Sequence, residues 1–136
     1  MSIVAIRTAL ETKLNTITPE LSTAWENVLF TPVAGTPYQQ VNLLMADNLS
    51  GCISDSSYVS KGFLQVMLCY PIGGGAKLAS TRADLLLSTF KRGLNLTSGG
   101  VIVEINKTPV IAPAIVDGDR YKFPVTIYFK SFISQS

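Results

Sequence analysis

The sequence predicts an α+β fold, a mostly antiparallel sheet covered by two main helices, and three observations carry that reading. Segments beginning at Ile3 and at Ala79 repeat apolar residues at spacings of three and four, the period of an amphipathic helix. Residues 38–46, 101–105 and 121–133 alternate apolar and polar side chains, as half-buried strands do. The run 63–70 is apolar on both sides of the pleat, with only Gln65 polar, which marks a central strand. Antiparallel neighbours with segregated helices form an α+β layer arrangement, and the 136 residues show no repeat, low-complexity tract or boundary that would divide them into more than a single domain, 1–136.

In chain order, Ser2 is placed to cap a first helix whose stripe is Ile3, Ile6, Leu10, Leu14 and Ile17, with Arg7, Glu11 and Lys13 toward solvent. Pro19 marks its boundary. Residues 22–30 hold Trp25, Val28 and Phe30 in a short extended segment, and Pro32, Gly35 and Pro37 punctuate the turn that follows. In 38–46, Val41, Leu43 and Met45 share one face against Gln40 and Asn42 on the other. The serine-rich stretch 47–61 has no period and reads as a loop or hairpin tip, an idle solvated loop or a partner contact.

The central strand ends at Pro71, which donates nothing to a ladder, and Gly73, Gly74 and Gly75 free the backbone for a turn. The second helix carries the stripe Ala79, Ala83, Leu86, Leu87 and Phe90. Thr81 and Asp84 suggest a capping pair at its start, with Lys91 and Arg92 in its last turn and Gly93 at its stop. A polar link, 94–100, leads to a three-stranded meander: 101–105, then 110–116 at an edge or bulge because of Pro113, then the last strand after the hairpin turn Asp117, Gly118, Asp119. That last strand places Tyr121, Phe123, Val125, Ile127, Phe129 and Ile133 on one face against Lys122, Thr126, Tyr128 and Lys130. Thirteen extended residues span ~43 Å, so the strand is expected to bend at Pro124 or to project beyond its sheet, where it would be open to pairing between subunits.

Composition narrows the chemistry. The chain has no histidine, which removes Ser-His-Asp and Cys-His nucleophilic sites, histidine metal ligands and a histidine pH switch. Cys52 and Cys69 stand alone, as a loop thiol and a core residue rather than a redox or zinc pair. The 11 basic and 9 acidic residues form no block of like charge, so no sequence-specific nucleic-acid surface is indicated. Apolar runs fall short of a membrane span and nothing resembles a secretion signal. Charged residues make up 15% and hydrophobic ones 47%, a thin polar coat that fits coverage by neighbouring subunits.

The glycine cluster invites comparison with a phosphate cradle. A P-loop requires Gly before and Ser or Thr after its lysine, but Lys77 sits between Ala76 and Leu78, and the dinucleotide pattern would need a third glycine at Leu78. The cluster therefore reads as a structural turn. Asp117 and Asp119 flank a turn glycine, and Asp47 and Asp55 lack the further acids of a calcium loop. No catalytic, cofactor-binding or metal-binding residue is assigned.

An ordered set of anchors remains: WENVLF followed by TP at Trp25, PYQQV at Pro37, GFLQV at Gly62, YPIGGG at Tyr70, the pair Ala83 and Asp84, FKRG at Phe90 and PVTIY at Pro124. In order and spacing the set resembles a phage and prophage family of tail terminator-like proteins, over nearly the whole chain. The resemblance implies a non-enzymatic α+β subunit of the virion tail, assembled in the bacterial host cytoplasm. It also implies a ring with itself, commonly a hexamer, that stops polymerisation of the major tail tube protein and presents a surface to head-tail connector proteins. A head-tail connector or minor tail protein is the alternative, and a nucleotide-binding enzyme using 73–77 a remote one. A ring needs two different patches on each subunit. The candidates are Ile53, Ser54, Asp55 and Tyr58 in the serine-rich loop, and Tyr128, Lys130 and Phe132 in the last strand.

Overall fold

The computed structural model describes residues 3–17, 21–26, 28–32, 35–45, 59–73 and 77–133. Its order is α1 (Ile3–Leu14), β1 (Ser22–Ala24), β2 (Tyr38–Met45), β3 (Val59–Pro71), α2 (Lys77–Thr89), β4 (Asn95–Ser98), β5 (Val101–Ile105), β6 (Val110–Ile111), β7 (Ile115–Asp117) and β8 (Arg120–Ile133). The strands form one sheet in the order β1-β2-β3-β8-β5-β4, with β6 and β7 also paired to β8. All pairings are antiparallel except β1 with β2. Two helices and a mostly antiparallel sheet make the chain α+β, as the sequence predicts.

One face of the sheet builds the core. Val41 and Leu43 of β2, Leu64, Val66, Leu68 and Tyr70 of β3, Val125, Ile127 and Phe129 of β8, and Val103 and Ile105 of β5 are buried together with the helical residues Ile6, Leu10, Leu14, Ala79, Ala83 and Leu86. Alternation explains the strand set, since a pleat sends every second side chain the same way. Register then aligns the rows: Val41 opposes Val66, and Val66 opposes Val125. The helical set follows the three-and-four spacing of each segment. Ile17 and Phe90, just beyond the helix ends, join the same cluster.

Several expectations need correction. The last strand neither projects nor sits at an edge: β8 pairs with β3 without a break from Arg120 to Phe132, through Pro124, and takes β5, β6 and β7 on its other side. Its backbone is therefore paired along the whole of one side and most of the other, so its side chains are what it chiefly offers to partners. The meander becomes three strands on one long neighbour, because β5 pairs with β4 and β8 rather than with β6. The polar link holds β4, which closes a hairpin onto β5 through Gly99 and Gly100, both at positive φ (55° and 80°). Val59, Ser60 and Lys61, read as loop, open β3. Thr81 lies inside α2 rather than at its cap, and its hydroxyl donates to the carbonyl of Lys77 at 2.8 Å. Arg82 is buried within the α2 stripe where Leu87 is only partly so, and burial pushes its guanidinium below its ordinary value. Ser2, Gly74, Gly75 and Cys52 lie outside the described residues.

One carboxylate ties three elements together. Glu26 accepts from the backbone N–H of Leu43 at 2.6 Å and from Arg7 Nη1 of α1 at 2.9 Å. β1 covers β2 only from Tyr38 to Gln40, so Glu26 satisfies a donor of β2 beyond the point where its partner strand stops. The Leu43 bond, with the bond and charge of Arg7 adding to it, outweighs the upward push of burial and leaves the Glu26 carboxyl below its ordinary 4.5. A lowered carboxyl stabilises the fold fully above its ordinary value and loses that contribution as pH falls through the folded-state value. Replacing Glu26 by alanine is expected to cost about 1–2 kcal/mol at neutral pH, discounted for a partly exposed group. In urea titrations the deficit against the parent should shrink as pH falls below the ordinary carboxylate value and through the lowered folded-state one. A deficit that stayed constant down to low pH would show that the charge contributes nothing.

Candidate interaction surface

The pleat that buries Leu64, Val66 and Leu68 sends Phe63, Gln65 and Met67 to the opposite face. Register extends that outer face across the sheet. Phe63 lies opposite Tyr128 and Leu44, Lys61 opposite Lys130, and Lys130 opposite Glu104. Ile102 lies opposite Phe132 on the same face.

At one end the outer face is closed. Phe30 packs on Tyr38 with ring centroids 5.1 Å apart, and Arg120, itself buried, donates from Nη1 to the carbonyl of Thr36 at 2.6 Å while lying over the Tyr38 ring at 4.9 Å. This cover explains why Cys69, an outer-face residue, is wholly buried. Burial pushes its thiol up, and the Tyr38 hydroxyl up as well. Cys69 is thus held as a protonated packing residue rather than a reactive thiolate.

At the other end the face is partly exposed and both aromatic and basic. Phe63 and Tyr128 meet at 5.8 Å and 52°, Lys107 places Nζ 3.9 Å from the Tyr128 ring centroid, and Lys130 pairs with Glu104 at 3.3 Å. Phe132 and Ile102 are half-buried there, and Leu44 is 45% exposed. Three of the sequence candidates, Tyr128, Lys130 and Phe132, therefore stand at alternate positions along one strand of this patch. The other four, Ile53, Ser54, Asp55 and Tyr58, lie outside the described residues, as does the stretch 74–76 of the glycine cluster. Lys107, Lys61, Phe63 and Leu44 were not candidates from sequence. The signal available for Phe63 and Leu44 was the apolar residue on the nominally polar side of each strand.

Elsewhere the described residues offer little for chemistry. A cavity of about 650 Å³ opens between α1 and the segment after β1, lined by Arg7, Glu11, Asn15, Trp25, Glu26 and Val28. Its charged groups are engaged with one another: Arg7 bonds Glu26 at 2.9 Å and Glu11 at 3.4 Å. Among the described residues no three acidic or cysteine side chains gather where a metal could sit, and no helix is long and apolar enough to cross a membrane.

These features define a small α+β protein whose unabsorbed residues form a surface rather than a pocket. The family of phage tail terminator proteins matches residues 5–129, so the chain belongs to that family and is a structural component of the phage tail. A solved structure superimposes with a TM-score of 0.77 at 27% identity, covering 100% of this chain and 98% of the other. No curated protein matches the sequence.

Proposed function

We propose that this protein is the tail terminator itself: a ring of copies that caps the completed tail tube, fixes where the tube ends and provides the seat for the head connector. The observation that carries the reading is the family match over residues 5–129, which takes in every element from α1 to the middle of β8. The surface chemistry supports it. Partners are met by an aromatic and basic sheet face, and most of the anchoring side chains project from β3 and β8, the central strands of the sheet, which are paired with each other along their whole length. On this reading the protein needs no cofactor or catalytic group, assembles in the host cytoplasm and ends in the virion tail.

Deleting the gene from its phage tests the proposal. Tails of uneven and excessive length that fail to join filled heads are expected by electron microscopy, with normal particles restored by expression in trans. Uniform tails of normal length joined to heads in the deletion strain would remove the terminator role.

A further inference from the structure

We propose that neighbouring copies join head to tail by seating the acidic tip of the β7–β8 hairpin on the basic, aromatic end of the outer sheet face of the next copy. The inference rests on the ring reading above and assigns its contact. Two partly exposed patches of unlike composition carry it. At the tip, Ile115 is 51% and Val116 64% exposed, and the turn that follows presents Asp117, with its side chain 66% exposed, and Asp119. The neighbouring cations are turned inward: Arg120 is buried against Thr36 and Tyr38, and Lys122 lies on Asp117 at 2.9 Å. What the tip shows to solvent is therefore the Asp119 carboxylate, an Asp117 carboxylate shared with Lys122, and two apolar side chains.

The receiving face has the complementary composition. Lys61 and Lys130 are directly opposed across β3 and β8, an arrangement of like charges that disfavours the sheet by itself. Glu104 neutralises Lys130 only, and Lys107 adds a third cation over Tyr128. Phe63, Tyr128, Phe132 and the exposed Leu44 supply the apolar ground between them. The arriving Asp119 carboxylate, with Asp117 beside it, would relieve the opposed lysines while Ile115 and Val116 cover the aromatic surface.

The two patches cannot meet within one copy. The tip lies at the Pro71–Arg120 end of the β3–β8 ladder, and the basic face lies around Lys61–Lys130 and Phe63–Tyr128 toward its other end, about 25–35 Å away along the strands. Two unlike patches at opposite ends of a rigid ladder make a heterologous contact, the kind that closes a ring or continues as a filament.

Charge reversal tests the contact by sedimentation velocity across a concentration series. One variant carries Asp117→Lys and Asp119→Lys, the other Lys61→Glu and Lys107→Glu, each checked for parental circular dichroism. Where Asp117→Lys unfolds the hairpin by losing Lys122, Asp119→Lys alone replaces it. Each variant by itself should associate at least about tenfold more weakly than the parent, because like charges face each other at every contact. The equimolar mixture should recover assembly, since every contact then pairs opposite charges. Variants that assemble as the parent does, or a mixture that restores nothing, would overturn the contact while leaving the terminator role to the deletion phage. A parent chain that remains monomeric at its highest soluble concentration would overturn it as well. Uniform joined tails in the deletion strain would remove the terminator role without touching a successful charge swap.

Discussion

Truncation of Phe129 to alanine is expected to destabilise the fold by about 3–5 kcal/mol, lowering the thermal midpoint by roughly 10–15 °C for a chain of this size. Phe129 is 1% exposed and sits on β8 at the point where two pairings diverge, opposite Gly62 of β3 on one side and Ile105 of β5 on the other. Its ring belongs to the core cluster that also holds Leu64, Ile105 and Ile127. Removing it leaves a void that rigid sheet neighbours cannot close, so the transfer loss and the cavity cost add. Tyr128 is the internal control. It is adjacent in sequence but on the outer face, partly exposed, and Tyr128→Ala should cost about 1 kcal/mol or less. Thermal melts of the two variants measure the difference. Equal losses would mean that the outer face is as buried in solution as the core face.

The contrast between these neighbours also shows what was legible in the sequence. Period-two alternation assigned Phe129 to the core and Tyr128 to the opposite face correctly, because a pleat leaves no freedom in that choice. The same logic placed Val41, Leu43, Val125 and Ile127, and the three-and-four spacing placed Ile6, Leu10 and Leu14. Strand order was not legible. Nothing local in residues 121–133 distinguishes a free terminal strand from the centre of a sheet, since pairing is decided by partners far along the chain. β4 was missed for a related reason: Asn95, Leu96, Thr97 and Ser98 carry one apolar residue, and the strand exists because Gly99 and Gly100 turn it onto β5. Arg82 was missed because charge normally marks the solvated side of a helix, and here the guanidinium is buried. The candidate surface was half legible as a set of neighbours. Tyr128, Lys130 and Phe132 could be read from the last strand, but Lys61, Phe63 and Lys107 join them only through register and a loop return that the sequence does not announce.

Gly62 is the second position where a single change should have a large effect, and for the opposite physical reason. A Cβ built there would lie 2.5 Å from the backbone carbonyl oxygen of Leu44, 3.0 Å from Phe129 Cζ and 3.2 Å from the Cα of Met45. Glycine is required by close approach here, not by an unusual backbone angle. The Leu44 oxygen belongs to β2, paired directly with β3, so relief needs the two strands to part. Gly62→Val is therefore expected to cost about 3 kcal/mol, at the upper end of overpacking penalties, and Gly62→Ala somewhat less. A double-mutant cycle separates the two neighbours. If the Phe129 ring were the obstacle, Gly62→Val would cost nothing in a Phe129→Ala background. Because the shortest contact is to main chain, most of the penalty should persist there, leaving a coupling of about 1 kcal/mol in urea denaturation. Full rescue would place the obstruction in the ring and mean that β2 and β3 tolerate separation. Persistence would show that the glycine serves the pairing of β2 with β3 beside Leu44 and Phe63.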